Sequence, residues 1–191
     1  MDSHAKIIKF NTKDNPMKKS LLLLSLVTVW LSAGNLSVTQ GSVKAHTEVF
    51  GDSAIEPSTS GLNSHLKIAN DPLSLNGSID ISMKGLKSDN TDRDEHMYEA
   101  INSMKFPQAT YTITKVAQGA KSYKIDGILN FHGMKKPLSI DANIMQKGDN
   151  VHFSGKSSFL MSNYGVKPPK LLFLTVRDQV DLTIDVDFKN K

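Results

Sequence analysis

A chain of 191 residues with 39% apolar and 7% aromatic side chains can bury a proper core in one domain, and this composition excludes a disordered chain. The formal net charge of +4 does not make a nucleic-acid footprint: residues 1–34 hold five lysines against two aspartates, which leaves +1 and no block of like charge for the rest. Cysteine is absent, which excludes disulfides, thiolate metal sites and thiol nucleophiles together.

The first organised feature is a leader. Met17-Lys18-Lys19-Ser20 precedes the apolar run Leu21–Leu31, and the small residues Ser32-Ala33-Gly34 follow it. Lysines, a short apolar helix and small residues in that order form a secretory signal, and the run is too short to span a bilayer. Cleavage is expected after Gly34, which divides the chain into 1–34 (an upstream segment plus the signal Met17–Gly34) and a mature domain, 35–191, in the periplasm or secreted.

Beyond the leader, period-two alternation dominates. Val43, Ala45, Thr47 and Val49 share one face of a first strand, opposite Ser42, Lys44, His46 and Glu48. Leu62–Ala69 is a second, and Ile79, Ile81 and Met83 mark a third. Asp89–Ile101 then departs from the pattern with helix chemistry: Asp89, Asn90 or Thr91 can cap it, acidic residues crowd its first turn, and Met97 and Ile101 stand four apart. Strands are predicted at Thr110–Val116, Tyr123–Phe131, Leu138–Ile144 and Val151–Met161. A last one sets Leu182, Ile184, Val186 and Phe188 against Asp181, Thr183, Asp185 and Asp187. About eight strands, apolar on one face and polar on the other, predict an all-β antiparallel barrel or sandwich.

Four ordered segments resemble one family. Asn90-Thr91-Asp92-Arg93-Asp94-Glu95-His96 resembles its N-x-x-R-D-x-H helix, and Lys105-Phe106-Pro107 its strand entry. Gly127–Pro137 resembles its Gly-x-Leu hairpin, and Phe159–Val166 its aromatic Asn-Tyr-Gly-Val element. The family is the YceI-like proteins, and the resemblance spans roughly residues 75–189. It implies an antiparallel eight-stranded lipocalin-like barrel with one short crossing helix, enclosing a long amphiphile of isoprenoid type. The opening departs from the family, because Gly41–Phe50 and Gly61–Leu66 lack its usual first strands.

The chemistry candidates are sparse. Asp92, His96 and Glu99 share a helix face on which metal or acid–base work is conceivable, but a solvated, capped helix start explains them equally well. Arg93 and Asp94 are expected to tie the helix to the barrel rim by hydrogen bonds. His46, His65, His132 and His152 sit on separate strands, with His46 and His132 opposite the apolar face and so expected to be exposed. The Ser154–Ser158 stretch forms no nucleophile elbow. In Lys167–Leu174, two prolines deny regular pairing and four large apolar side chains follow, so this loop is expected to fold over a barrel end.

The inward residues Met83, Ile113, Leu129, Phe131, Ile140, Phe153 and Phe159 either fill the barrel or line a hole. The resemblance favours a hole, with Phe106, Leu172 and Phe173 added to the ligand set. The expected partner is a long-chain apolar or polyisoprenoid ligand, with no nucleic acid, only transient membrane contact for ligand exchange, and a possible homodimer. No cofactor, metal or catalysis is expected. The rivals are a solid-core interaction or stress-response domain, and a metal or hydrolytic enzyme at Asp92, His96 and Glu99.

Overall fold

A computed structural model describes residues 33–49, 53–171 and 174–191, and apart from Ala33 and Gly34 the expected leader lies outside them. β1 (Gly34–Val49) is followed by four short pieces, β2 (Ser53–Ile55), β3 (Ser58–Thr59), β4 (Leu62–Ser64) and β5 (Lys67–Ile68). Next come β6 (Gly77–Ser82), helix α1 (Thr91–Ala100), β7 (Gln108–Gln118), β8 (Tyr123–Phe131), β9 (Met134–Lys147) and β10 (Asn150–Leu160). A short hairpin, β11 (Lys170–Leu171) with β12 (Leu174–Thr175), precedes β13 (Gln179–Asn190).

Pairing runs β1-β13-β10-β9-β8-β7-β6, antiparallel throughout. The stretch from β2 to β5 returns between β1 and β6: β3 and β5 pair with β1, and β4 pairs with β6. Lys67 exchanges both backbone hydrogen bonds with Asn76, just ahead of β6, at 2.9 and 3.0 Å. Taken as one broken strand, this stretch completes an eight-stranded antiparallel barrel with one crossing helix. Among the described residues, β1 and β6 each have partners on both sides, so closure covers most of the edge that an open sheet would expose.

Besides the expected strand Leu62–Ala69, which is broken into β4 on β6 and β5 on β1, two elements differ from the sequence expectation. The first strand begins at Gly34, not near Ser42, because Thr39 is an extra residue between the pairs Val38–Phe188 and Gln40–Asp187. This bulge changes the phase of alternation, so Leu36 and Val38 face the core as Val43 and Ala45 do. Gly41 makes it possible: its φ is +123°, and a Cβ there would lie 2.3 Å from the Asp185 carbonyl oxygen. The second difference is the loop after Pro168 and Pro169, which does pair, as the β11–β12 hairpin.

Inside, alternation holds strictly on the neighbouring strands β8 and β9: Ile125, Leu129 and Phe131 project into the core beside Leu138, Ile140 and Ala142. Gly127 interrupts β8 because the Tyr111 ring covers it, 2.4 Å from where a Cβ would stand. The Tyr111 hydroxyl lies 3.0 Å from the carbonyl oxygens of both Ile125 and Leu138, to which it can donate. Burial, and then the charge of Asp126, hold this phenol well above its ordinary pKa.

The outer face carries short charge networks. Gln40 and His152 both hydrogen-bond Asp187, at 2.6 and 2.7 Å, and together they lower its pKa. Glu56 is lowered chiefly by the Lys44 ammonium at 2.7 Å, with His46 adding to it. A lowered carboxylate stabilises the fold above its unfolded pKa, about 4, and that contribution is lost as pH falls through the folded value. Wild type is therefore expected to lose melting temperature more steeply below about pH 4 than Asp187→Asn, as read by thermal melts across pH. Parallel curves would remove Asp187 from the acid response.

Candidate functional site

The interior is hollow at the end crossed by α1. The helix starts cleanly because the Asn90 side chain accepts from the Arg93 N–H at 2.9 Å, and Asp92 and Asp94 lie in its first turn. Asp94 is buried and takes three hydrogen bonds from Ser88, two from its N–H and one from its hydroxyl, at 2.7–3.0 Å. Arg93 donates to the Ala54 carbonyl at 3.2 Å, and the Tyr98 hydroxyl donates to the Leu86 carbonyl. These bonds hold the helix across the barrel, with Met97, Ala100 and Ile101 turned inward.

Beneath α1 lies an apolar chamber of about 180 Å³. Its wall is almost all carbon, from Met83, Leu129, Phe131 and Phe159 together with Met161 and Val166. Three polar residues border it: Thr47, Arg93 and His96. The Thr47 hydroxyl is already committed, 2.9 Å from the Arg177 carbonyl and 3.0 Å from that of Gln179. A void of this size exceeds by about tenfold what one water needs, yet it offers water almost no partner. Such a space favours hydrocarbon over water.

A second chamber of about 70 Å³ continues toward the opposite end, bordered by Ile113, Ile140 and Phe153 among others. Val43, Ile81, Leu129 and Leu182 border both chambers. Leu182, Ile184 and Phe153 point inward yet are only half-buried, because they face this open space.

The rim beside α1 is held by aromatic packing. Phe131, Phe159 and Tyr164 meet edge to face, with centroids 5.2–5.6 Å apart. The β8–β9 turn has positive φ at both His132 and Gly133, at 51° and 76°. His132 is half-buried, which differs from its expected exposure: its Nδ1 donates to the Tyr164 carbonyl at 2.9 Å, which fixes the tautomer. Its ring also packs against Phe106 at 4.7 Å.

Seven of the candidate ligand residues thus converge on the interior: Met83, Leu129, Phe131 and Phe159 at the larger chamber, Ile113, Ile140 and Phe153 at the smaller, with Leu129 at both. Phe106 borders neither; its ring sits instead against the β8–β9 turn, 2.7 Å from where a Gly133 Cβ would stand. The reason is parity, since Phe106 precedes β7 and the inward positions of that strand begin at Ala109. Leu172 and Phe173 lie outside the described residues. The sequence reading missed Pro169, Val176 and Val180 at the chamber, the first two because they come from irregular chain with no period to follow.

Asp92, His96 and Glu99 are exposed on the helix, although His96 also touches the chamber rim. Among the described residues, no three His, Asp or Glu side chains converge at metal-binding distance. His96→Ala is expected to change stability by no more than about 0.5 kcal/mol, as for a surface position. Asp94→Ala strands the Ser88 donors and should cost about 2–3 kcal/mol. Denaturant midpoints of the two variants check the contrast, and equal losses would contradict it.

An antiparallel eight-stranded barrel with a helix-covered, carbon-lined interior defines a protein of the small-barrel class that can enclose one apolar molecule. The chain belongs to the YceI-like family: the model of the YceI-like domain matches residues 33–188. That match reaches back over the first two strands, which the sequence motifs had left uncovered. Over 117 residues the chain is 26% identical to Protein YceI of Escherichia coli O6:H1, an alignment covering 57% of this chain and 60% of that relative. In fold it is similar to BcnA of Burkholderia cenocepacia, with a TM-score of 0.68, 17% identity, and coverage of 77% of this chain and 95% of that one. It is also similar to a polyisoprenoid binding domain from Saccharophagus degradans, with a TM-score of 0.66, 11% identity, and coverage of 82% and 98%.

Proposed function

We propose that this chain is an exported carrier that holds a long apolar chain, of isoprenoid type, inside its barrel and performs no chemistry of its own. The observation that carries this reading is the chamber of about 180 Å³, partly open to solvent, with an almost purely carbon wall. Burying hydrocarbon there is worth about 0.8 kcal/mol per methylene, enough for tight binding without a single directed hydrogen bond. The fold shared with a polyisoprenoid binding domain supports the same ligand class. Arg93 and His96, at the chamber rim, are the polar groups nearest a ligand's head.

Membrane contact, on this reading, is transient and serves loading and release. Cleavage after Gly34 would leave Asn35 as the first residue, still able to exchange hydrogen bonds with Lys191 as it does at 3.0 Å in both directions. The test is mass spectrometry of an organic extract from protein purified natively from its exported compartment, with intact mass measured in parallel. An apolar molecule at near-stoichiometric amount is expected. An empty extract together with a protein that takes up no prenyl probe would sink the carrier reading.

A further inference from the structure

We infer that four side chains at the waist of the barrel sort apolar ligands by chain length, an inference that rests on the carrier reading above. Val43, Ile81, Leu129 and Leu182 come from β1, β6, β8 and β13, and each borders both chambers. A side chain that touches two cavities stands between them, so these four form a constriction in one continuous interior. Above it is about 180 Å³ of open space, below it about 70 Å³.

The lower chamber is built to yield. Its far wall is apolar and buried, with Leu66, Leu75 and Phe188. The Tyr111 hydroxyl offers a ligand nothing, since two carbonyls already hold it. Inward-facing Gly155 leaves a gap that Ile140 and the Phe153 ring occupy: a Cβ there would stand 2.8 Å from Ile140 Cγ2 and 3.0 Å from Phe153 Cε1. Phe153 itself is only half-buried, so its ring has room to turn aside.

A short ligand is satisfied in the upper chamber and leaves the waist untouched. A longer one must part the four side chains, and each methylene it then buries below raises affinity about fourfold. Ligand length is therefore read at the waist, because branched aliphatic side chains move aside only for a chain with enough hydrocarbon to repay the lost packing.

The test measures binding of geraniol, farnesol and geranylgeraniol to the full chain by displacement of a fluorescent prenyl probe. Leu182→Phe narrows the waist and is expected to weaken geranylgeraniol at least about tenfold more than it weakens geraniol. Leu129→Ala widens it and should shift the ratio of the two affinities toward the longer alcohol. If both variants alter all three alcohols by one factor, the waist does not read length, although the carrier reading stands. If wild type binds none of them, the carrier reading falls and takes this inference with it. Should Leu182→Phe fail to fold, Leu129→Ala decides alone, and an unchanged ratio overturns the proposal.

Discussion

Leu129→Trp is expected to expel ligand from the barrel while leaving it folded. Leu129 is buried at 5% exposure and projects where the two chambers meet, so an indole can turn into the larger space of about 180 Å³. Filling a void costs little, whereas forcing the same ring into a close-packed core costs about 1–3 kcal/mol. Wild type should retain a fluorescent prenyl probe and Leu129→Trp should lose it by at least about tenfold, with melting temperature nearly unchanged. Phe153→Trp, beside the smaller chamber of about 70 Å³, is expected to fill it and weaken probe retention by a smaller factor, again at little cost in stability. A solid interior predicts the opposite for Leu129→Trp, a destabilised variant beside a wild type with no probe to lose. That outcome would favour the interaction-domain rival.

The largest loss of stability is expected from Tyr164→Ala. Tyr164 is 2% exposed, and its ring meets Phe131 at 5.6 Å and Phe159 at 5.2 Å, both edge on. Removing it leaves a large hole under the rim and should cost about 3–5 kcal/mol, much of the 5–15 kcal/mol that holds a typical domain. Tyr164→Phe keeps the packing and should cost less than about 1 kcal/mol. Denaturant unfolding decides between them, with midpoints shifted and slopes unchanged. A Tyr164→Ala loss below about 1 kcal/mol would mean that the rim is not held by this aromatic group.

Much of the barrel could be read from the chain because a half-buried strand writes its facing into its side chains. β8, β9 and β13 each alternate strictly, and the inward residues predicted on them are inward. The helix was equally legible: Asn90 caps it, as its chemistry allows, and Arg93 reaches the Ala54 carbonyl, while Asp94 bonds Ser88 just ahead of the helix. Less legible were the places where period fails. The bulge at Thr39 reverses the phase of β1, and the broken strand from β2 to β5 has pieces of two or three residues, too short to show any alternation. The partners that order those pieces lie on β1 and β6, close in space and remote or irregular in sequence.

By itself, then, the sequence determined which side chains face inward on the regular strands, and that those side chains are hydrocarbon. Facing is a local property, dictated by the two-residue period of each strand. Whether the inward side chains meet or leave a space was decided only by tertiary structure, since volume depends on how eight strands close and which rings lean on which glycines. Tyr111 over Gly127 and Phe153 against Gly155 take up room that alternation alone leaves open. Above them α1 roofs the larger chamber, and nothing in its ten residues says how far it stands from Leu129 and Phe159. That separation is set by Asp94 and Tyr98, which bind the chain just ahead of the helix, and by Arg93, whose partner Ala54 is remote in sequence.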